Sequence, residues 1–371
     1  MEKFAITKNT PENQSPLDQV EEFTESFFDR YEKKKFKLSI DKSLHIEDGD
    51  SLLLSNSTMC RYRDYIRDSR IHPDGVAAQQ LCLRTPDLSR YDKEDYEFNF
   101  PSLFNMVGLM LPKESTNKLF RETYDWLVSV GIEPERIYIK TSEGDFLANL
   151  CIPDDFKDRI LIDTERPSFY KWDYGMQDVF GEGLTFSILQ NNGEILDIGN
   201  IIAFTDRDRA LIGWETAFGV ETLTARRDNV PLYKKYKIFE LFGEITNEQQ
   251  KPLLDSISSV IELIVQGFEP GPKKQSYILR KYLNIISKLS NRLEMDIDMI
   301  IIKYCNSKNY DAIKILSTVK NYLDVIKIQK EVNINNLRKY LKKNSEITRD
   351  KKTEIAKSTF ALDEEDIVEF L

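Results

Sequence analysis

The sequence is poor in the residues that most often carry catalysis. Its 371 residues include two histidines, His45 and His72, and four cysteines, Cys60, Cys82, Cys151 and Cys305. Two isolated imidazoles give little support to a Ser-His-Asp triad or a multi-histidine metal centre. The cysteines are scattered without a CxxC pair. They read as reduced packing residues of a cytosolic protein and not as a zinc or disulfide framework. Glycine-rich phosphate loops of the P-loop or GxGxxG kind are missing. Long apolar runs are missing too: stretches such as Met299 to Ile302 are far too short to span a bilayer, so no membrane partner is expected. The opening segment, MEKFAITKNTPENQSP, lacks the apolar stretch of a secretory signal and reads as a loose arm over residues 1–16. A cytoplasmic location is the expectation.

What is present is an ordinary globular composition, 41% hydrophobic and 31% charged, on a chain long enough for two domains. The net charge of -10 hides an asymmetry. Residues 231–360 carry 24 Lys and Arg against 15 Asp and Glu, whereas the rest carries 28 against 47. An acidic front and a basic back suggest two tasks, and a basic helical module is suited to a polyanion such as RNA. The same pattern also fits a plain solvated helical surface.

Hydrophobic spacing divides the chain in the same place. PLDQVEEFTESFFDRYE (16–32) has apolar residues at helical intervals. Short apolar runs follow at 51–54, 80–84, 136–139, 146–152, 184–189, 195–204 and 210–214, broken by polar turn-rich stretches, with a helix expected over 114–130. Asn192-Gly193 and Glu143-Gly144 read as strand connections. Beyond about Arg226 the period becomes 3.6, over 253–266, 275–293, 297–306, 310–328 and 334–343. The predicted fold class is α+β: a mainly antiparallel sheet flanked by helices over 17–230, then an all-α helical domain over 231–371.

The front half offers arginines beside apolar strands and a glycine-bounded strand-to-helix segment, GWETAFGVETL (213–223). Arginine, glutamate and aromatics on an antiparallel sheet suit a phosphate-bearing ligand better than proton shuttling. On the residues alone, Glu215 or Glu221 reads equally well as a charge at a helix start.

A series of segments changes that balance. SLLLSNSTMCRYRDYI, QQLCLRTPDL, NFPSLFNMVGLM, YGMQD, LDIGNIIAF and GWETAFGVETL resemble, in order, the core motifs of the alanyl-tRNA synthetase family of class II aminoacyl-tRNA synthetases. SSVIELIVQGFEPGPKKQSYILRK and AKSTFALDEEDIVEFL resemble the opening and close of that family's helical tRNA-binding module. The resemblance runs from about residue 17 to the end. The family's editing and C-terminal modules have no counterpart. It implies a class II sheet, ATP with Mg2+ as cofactors, and a small amino acid (alanine, glycine or serine) and tRNA as partners.

Position by position, the resemblance implies that Arg84 contacts the ATP α-phosphate and is the catalytic residue, because a fixed guanidinium stabilises charge on five-coordinate phosphorus. Phe104 stacks on adenine, and Asp87 and Glu221 complete the ATP side. Tyr174, Asn200 and Glu215 line the amino-acid side, where a carboxylate answers the substrate ammonium. Lys273, Lys274, Arg280 and Lys281 form the RNA side. The sequence also departs from the family. Thr222 replaces the arginine that meets the ATP tail, with Arg226 and Arg227 about one helical turn on. VFGEGLTFSI replaces a glycine- and cysteine-rich stretch. Pro272 and Ser358 stand where the family has an asparagine and an aspartate that read the acceptor stem. Three readings follow: a small-amino-acid ligase acting on tRNA, the same activation with a carrier protein or small molecule as acceptor, or an inactive paralogue that binds RNA or another partner.

Overall fold

The computed structural model describes residues 15–46, 53–85, 87–144, 151–173, 178–344, 346–360, 362 and 367. Helix α1 (Pro16–Lys33) starts where the Ser15 hydroxyl accepts from the Asp18 amide at 3.3 Å, with Pro16 at the first helical position. The strands are β1 (Lys37–Asp41), β2 (Val76–Leu83), β3 (Leu103–Pro112), β4 (Ile137–Ser142), β5 (Ile160–Asp163), β6 (Lys171–Asp173), β7 (Phe180–Leu189), β8 (Ile195–Thr205) and β9 (Leu211–Gly219). A short helix α2 (Arg63–Arg67) precedes β2, and α3 (Thr116–Ser129) follows β3. The sheet order is β1-β2-β3-β9-β8-β7-β4-β5, with β6 beside β7. The β1–β2 and β4–β5 pairings are parallel and the others antiparallel, so the sheet is mixed with an antiparallel centre.

The Asn192-Gly193 turn closes the β7–β8 hairpin, with Gly193 at φ +87 and the Gln190 amide donating to the Glu194 carbonyl. The run at 146–152 lies largely outside the described residues, and Leu53 and Leu54 lie in no strand. Strand β3, at the middle of the sheet, is read in sequence only as a motif, because its run is apolar on both faces and shows no alternation.

One sheet face is dry. Ala77, Val107, Leu109, Trp214, Phe218 and Phe186 pack there against Phe23 and Phe27 of α1 and Leu119, Phe120 and Trp126 of α3. The Trp214 indole donates to the Thr116 hydroxyl at 2.9 Å, tying β9 to the start of α3.

The back of the chain is helical: α4 (Val220–Arg227), α5 (Lys237–Phe242), α6 (Gln250–Val265), α7 (Lys274–Arg292), α8 (Asp298–Ser307), α9 (Ala312–Lys343) and α10 (Arg349–Phe360). The two helices expected over 310–328 and 334–343 are one 32-residue helix. Its apolar stripe lapses near Val332, but no proline or glycine breaks the chain there. Among the described residues no helix is long and apolar enough to cross a membrane.

A second core crosses residue 230. Leu44, Leu54, Leu83, Tyr91 and Leu103 pack with Leu253, Ile257, Leu279, Tyr282 and Ile301. Inside it, Asp255 of α6 is 1% exposed. Its carboxylate accepts from the Ser102 amide (2.8 Å), the Ser102 hydroxyl (2.6 Å) and the Tyr91 hydroxyl (2.5 Å). Desolvation in this core pushes the Asp255 carboxyl up from 3.8 to about 6, against the pull of these donors. The folded protein therefore binds an extra proton between those two values. Stability present below about pH 4 should be lost as pH rises through about 6, on the order of 2–3 kcal/mol. Urea unfolding across that range checks the slope, which Asp255→Asn should flatten.

Candidate functional site

Alternation places side chains of the central strands on two faces. The face away from α1 and α3 carries Gln80 and Cys82 of β2, Phe104, Met106, Gly108 and Met110 of β3, Glu215 and Ala217 of β9, Asn200 of β8 and Thr185 of β7. Cross-strand partners bring them into rows. Cys82 lies opposite Phe104. Gly108, Ala217, Asn200 and Thr185 follow one another across β3, β9, β8 and β7, and Met110 lies opposite Glu215. At about 3.3 Å per residue, the Phe104 row and the Asn200 row are about 13 Å apart along the strands.

At one end is Arg84, just beyond β2. Its amide donates to the Ser102 carbonyl at 2.9 Å and its Nε donates to the Asn56 carbonyl at 3.0 Å. The guanidinium lies 5.1 Å from the centroid of the half-buried Phe104 ring, within cation–π range. Arg84 is exposed. A cation is thus steadied on one side while its outer nitrogens face solvent. Asp87 is exposed three residues on, and its Oδ1 accepts from the Ser89 amide and hydroxyl at 3.1 and 2.5 Å. Those bonds, and more weakly Arg90 and Lys281, hold its carboxyl below the usual range. The Lys281 effect places part of the basic surface of α7 near this loop.

At the other end, Glu215 is 2% exposed, and its Oε1 accepts from the Thr58 hydroxyl at 3.0 Å. The contact needs Gly108: a Cβ there would come within 1.9 Å of the Thr216 carbonyl oxygen and 3.3 Å of Thr58 Oγ1. Asn200 Oδ1 accepts from the Thr185 hydroxyl at 2.8 Å, which orients the amide and turns its NH2 away from Thr185. Beside this pair, Asp197 accepts from Ser187 (2.9 Å) and Lys140 Nζ (2.7 Å). The face can therefore hold an anion at its Arg84 end and offers a buried carboxylate and an amide at the other. Among the described residues no group of three His, Cys, Asp or Glu gathers in a way that could hold a metal.

Glu221 does not join this face. Both its oxygens accept from the Asn105 amide (3.1 and 3.0 Å), and Oε1 also accepts from the Asn105 side chain (2.8 Å). Asn105 alternates with Phe104, so its side chain faces the other way, into a separate cleft of ≈ 1010 Å³ between α1, the β1 edge, the end of α6 and the end of α8. Burial raises the Glu221 carboxyl to about 7. Tyr174 lies outside the described residues. Lys273, Lys274 and Arg280 are exposed at and beyond the start of α7, while Arg280 and Lys281 flank the Tyr277 ring at 5.3 and 5.0 Å. Ser358 lies in α10, and its hydroxyl donates to the Glu354 carbonyl at 2.7 Å.

Sequence reasoning missed Thr58, Thr185, Ser102 and Asp255. Thr58 sits inside a quoted motif, but nothing local marks its partner. Asp255 had a usable signal: it is the lone charge in the apolar run LLDSISSVI.

No family model matches the chain. It is similar to the alanine–tRNA ligases of Mycoplasma pneumoniae (24% identity, 70% of this chain and 34% of that one), Mycoplasma genitalium (22%, 83% and 39%) and Ehrlichia chaffeensis (22%, 75% and 35%). The chain spans little more than a third of the length of these relatives. Among solved structures, a pyrrolysyl-tRNA synthetase of Desulfitobacterium hafniense aligns with 60% of this chain and 73% of its own at 13% identity and a TM-score of 0.35. The Entamoeba histolytica asparaginyl-tRNA synthetase with asparaginyl-adenylate aligns with 60% and 66% at 11% identity and a TM-score of 0.33.

Glu221 has a structural consequence that can be measured. Asn105→Ala removes one donor to a buried carboxylate and should cost roughly 1–3 kcal/mol. Adding Glu221→Gln should recover part of that loss, because the stranded charge is removed. Denaturant midpoints of the two variants and the wild type check this.

Proposed function

With the chain a diverged relative of the alanine–tRNA ligases, we propose that it activates a small amino acid with ATP and passes it to tRNA. The observation that carries this reading is one sheet face with a stacked Arg84–Phe104 pair at one end and Glu215 with Asn200 at the other. The distance between these rows suits a nucleotide and an amino acid laid end to end.

In this reading Phe104 stacks under adenine and Arg84 meets the α-phosphate. An amino-acid carboxylate oxygen attacks the α-phosphorus, the P–O bond forms, the bridging bond to the β-phosphate breaks, and pyrophosphate leaves. Arg84 stabilises the charge on the five-coordinate phosphorus. Glu215 pairs with the ammonium, and the fixed Asn200 amide donates to the substrate. A tRNA hydroxyl then attacks the acyl carbon and AMP leaves. Mg2+, if bound with the nucleotide, would supply neutralisation of phosphate charge, while the chain's own contribution there is the Arg84 guanidinium. Asp87 serves the loop, its carboxylate spent on Ser89. Lys273, Lys274, Arg280 and Lys281 supply phosphate contacts to RNA. Pro272 has no amide donor with which to read a base pair.

ATP–pyrophosphate exchange should appear with alanine, glycine or serine. Arg84→Ala should lower it roughly 10²- to 10³-fold. Absence of exchange with every amino acid at saturating ATP would remove the enzymatic reading. The second reading, an inactive RNA-binding paralogue, is favoured by Thr222 at the place of the family's tail arginine.

RNA binding has its own test. Affinity for tRNA should fall steeply between about 50 and 200 mM salt. Lys273→Ala with Lys274→Ala should weaken all tRNAs alike, and alanine tRNA should not be preferred over one with an altered third acceptor-stem pair. Filter binding at several salt concentrations decides this.

A further inference from the structure

We infer that the cleft on the Asn105 side of the sheet is a second ligand site, which takes a small zwitterion of the amino-acid class with an apolar side chain. The inference does not rest on the proposed activation, because this cleft lies on the opposite side of β3 from Phe104 and shares no lining residue with the candidate site.

A chain of amides fixes what the cleft presents. The Asn105 side-chain NH2 donates to Glu221 at 2.8 Å, so Asn105 Oδ1 must point the other way and accepts from Gln79 Nε2 at 3.4 Å. Gln79 lines the cleft and is only 8% exposed. With its nitrogen used on Asn105, its Oε1 is turned away as an acceptor, and among the described residues that oxygen has no hydrogen bond. A buried carbonyl oxygen of this kind calls for a donor.

Two opposite charges share the cleft without meeting. Glu262 of α6 is 3% exposed, and its carboxylate accepts from the Tyr310 hydroxyl at 3.0 and 3.2 Å and from the Tyr304 hydroxyl at 3.4 Å. Lys308, just beyond α8, is half-buried and lines the same cleft. Burial dominates the Glu221 carboxyl, but the Lys308 charge also acts on it, which places the ammonium toward the Asn105 end. Among the described residues neither Glu262 nor Lys308 makes an ion pair. An empty packing gap would let the two close on each other, since half-buried opposite charges attract strongly.

These groups select the ligand. A plain anion suits Lys308 but meets Glu262 and the acidic rim of Glu21, Glu25 and Asp29 on α1. A plain cation suits those acids but meets Lys308. A zwitterion answers both, its carboxylate on Lys308 and its ammonium on Gln79 Oε1 and Glu262. Val20, Phe28, Leu81 and Val265 supply an apolar lining, and a cleft of ≈ 1010 Å³ has room for a large side chain.

Calorimetry on the full chain without ATP, using leucine, methionine and phenylalanine with their amide and N-acetyl derivatives, tests this. Lys308→Ala should weaken the free amino acids roughly ten- to a hundredfold and leave the amides, which have no carboxylate, unchanged. Gln79→Leu should weaken the free amino acids but not their N-acetyl forms. Asn200→Ala, at the candidate site, should leave all of these affinities as they are. Absence of saturable heat with all three amino acids at millimolar concentration overturns the inference. So does unchanged affinity in a folded Lys308→Ala protein, or a loss in Asn200→Ala equal to that in Lys308→Ala, which would put the ligand on the other face. If Gln79→Leu does not fold, the N-acetyl and free forms compared on the wild type carry the ammonium half of the test. A chain inactive in pyrophosphate exchange that still binds these amino acids through Lys308 sinks the proposed activation and leaves this site standing.

Discussion

The Asp255 carboxylate, sealed between the helices and the sheet, is the anchor on which the candidate site depends. Its three accepted bonds reach the segment joining β2 to β3, and Ser102 in turn holds the backbone of Arg84. Without Asp255, the buried Ser102 amide would lose its acceptor and the Tyr91 hydroxyl its short bond, which the interior tolerates poorly. Lys288 and Arg292 of α7 add bonds to Asp92 on the same segment. The exposed, charged end of the sheet face is thus held from the helical side, and the two parts of the chain share one core rather than merely touching.

The rest of the arrangement follows from the two unlike faces of the sheet. The dry face is filled by aromatic contacts such as Trp126 with Phe27 and Phe218, which lock α1 and α3 in place. With packing secured on that side, the other face can carry Glu215, Asn200 and Thr185 without losing the fold. Those polar groups are nonetheless constrained. Thr58 and Thr185 each use one hydroxyl to orient a neighbour, which leaves defined donors and acceptors for a ligand. Arg84 differs from them in being an exposed cation with aromatic support.

Some of this was legible in the chain. Helical periodicity located α1, α3 and most of the later helices to within a few residues, and Asn192-Gly193 marked a hairpin. Other elements were not. The edge strand β1 is short and mostly exposed, and β5 and β6 are shorter still, so their alternation is too brief to read. Strand β3 is apolar on both faces because it lies mid-sheet between two cores. Helix α9 continues through a stretch that buries almost nothing, where periodicity has no face to record.

By itself the sequence determined the class of fold, the change from sheet to helices near residue 230, and the order of motifs that resembles the synthetases. These depend on local spacing and on residues close in the chain. Only the tertiary structure decided which acids look at which face. Glu215 and Glu221 are six residues apart across a strand-to-helix junction, yet one turns to Thr58 and the other to Asn105. The same holds for the neighbours Arg226 and Arg227, of which one lies over the Phe100 ring and the other pairs with Asp228. Such outcomes depend on strand register and on partners tens to hundreds of residues away, and those long-range pairings leave no trace in local sequence.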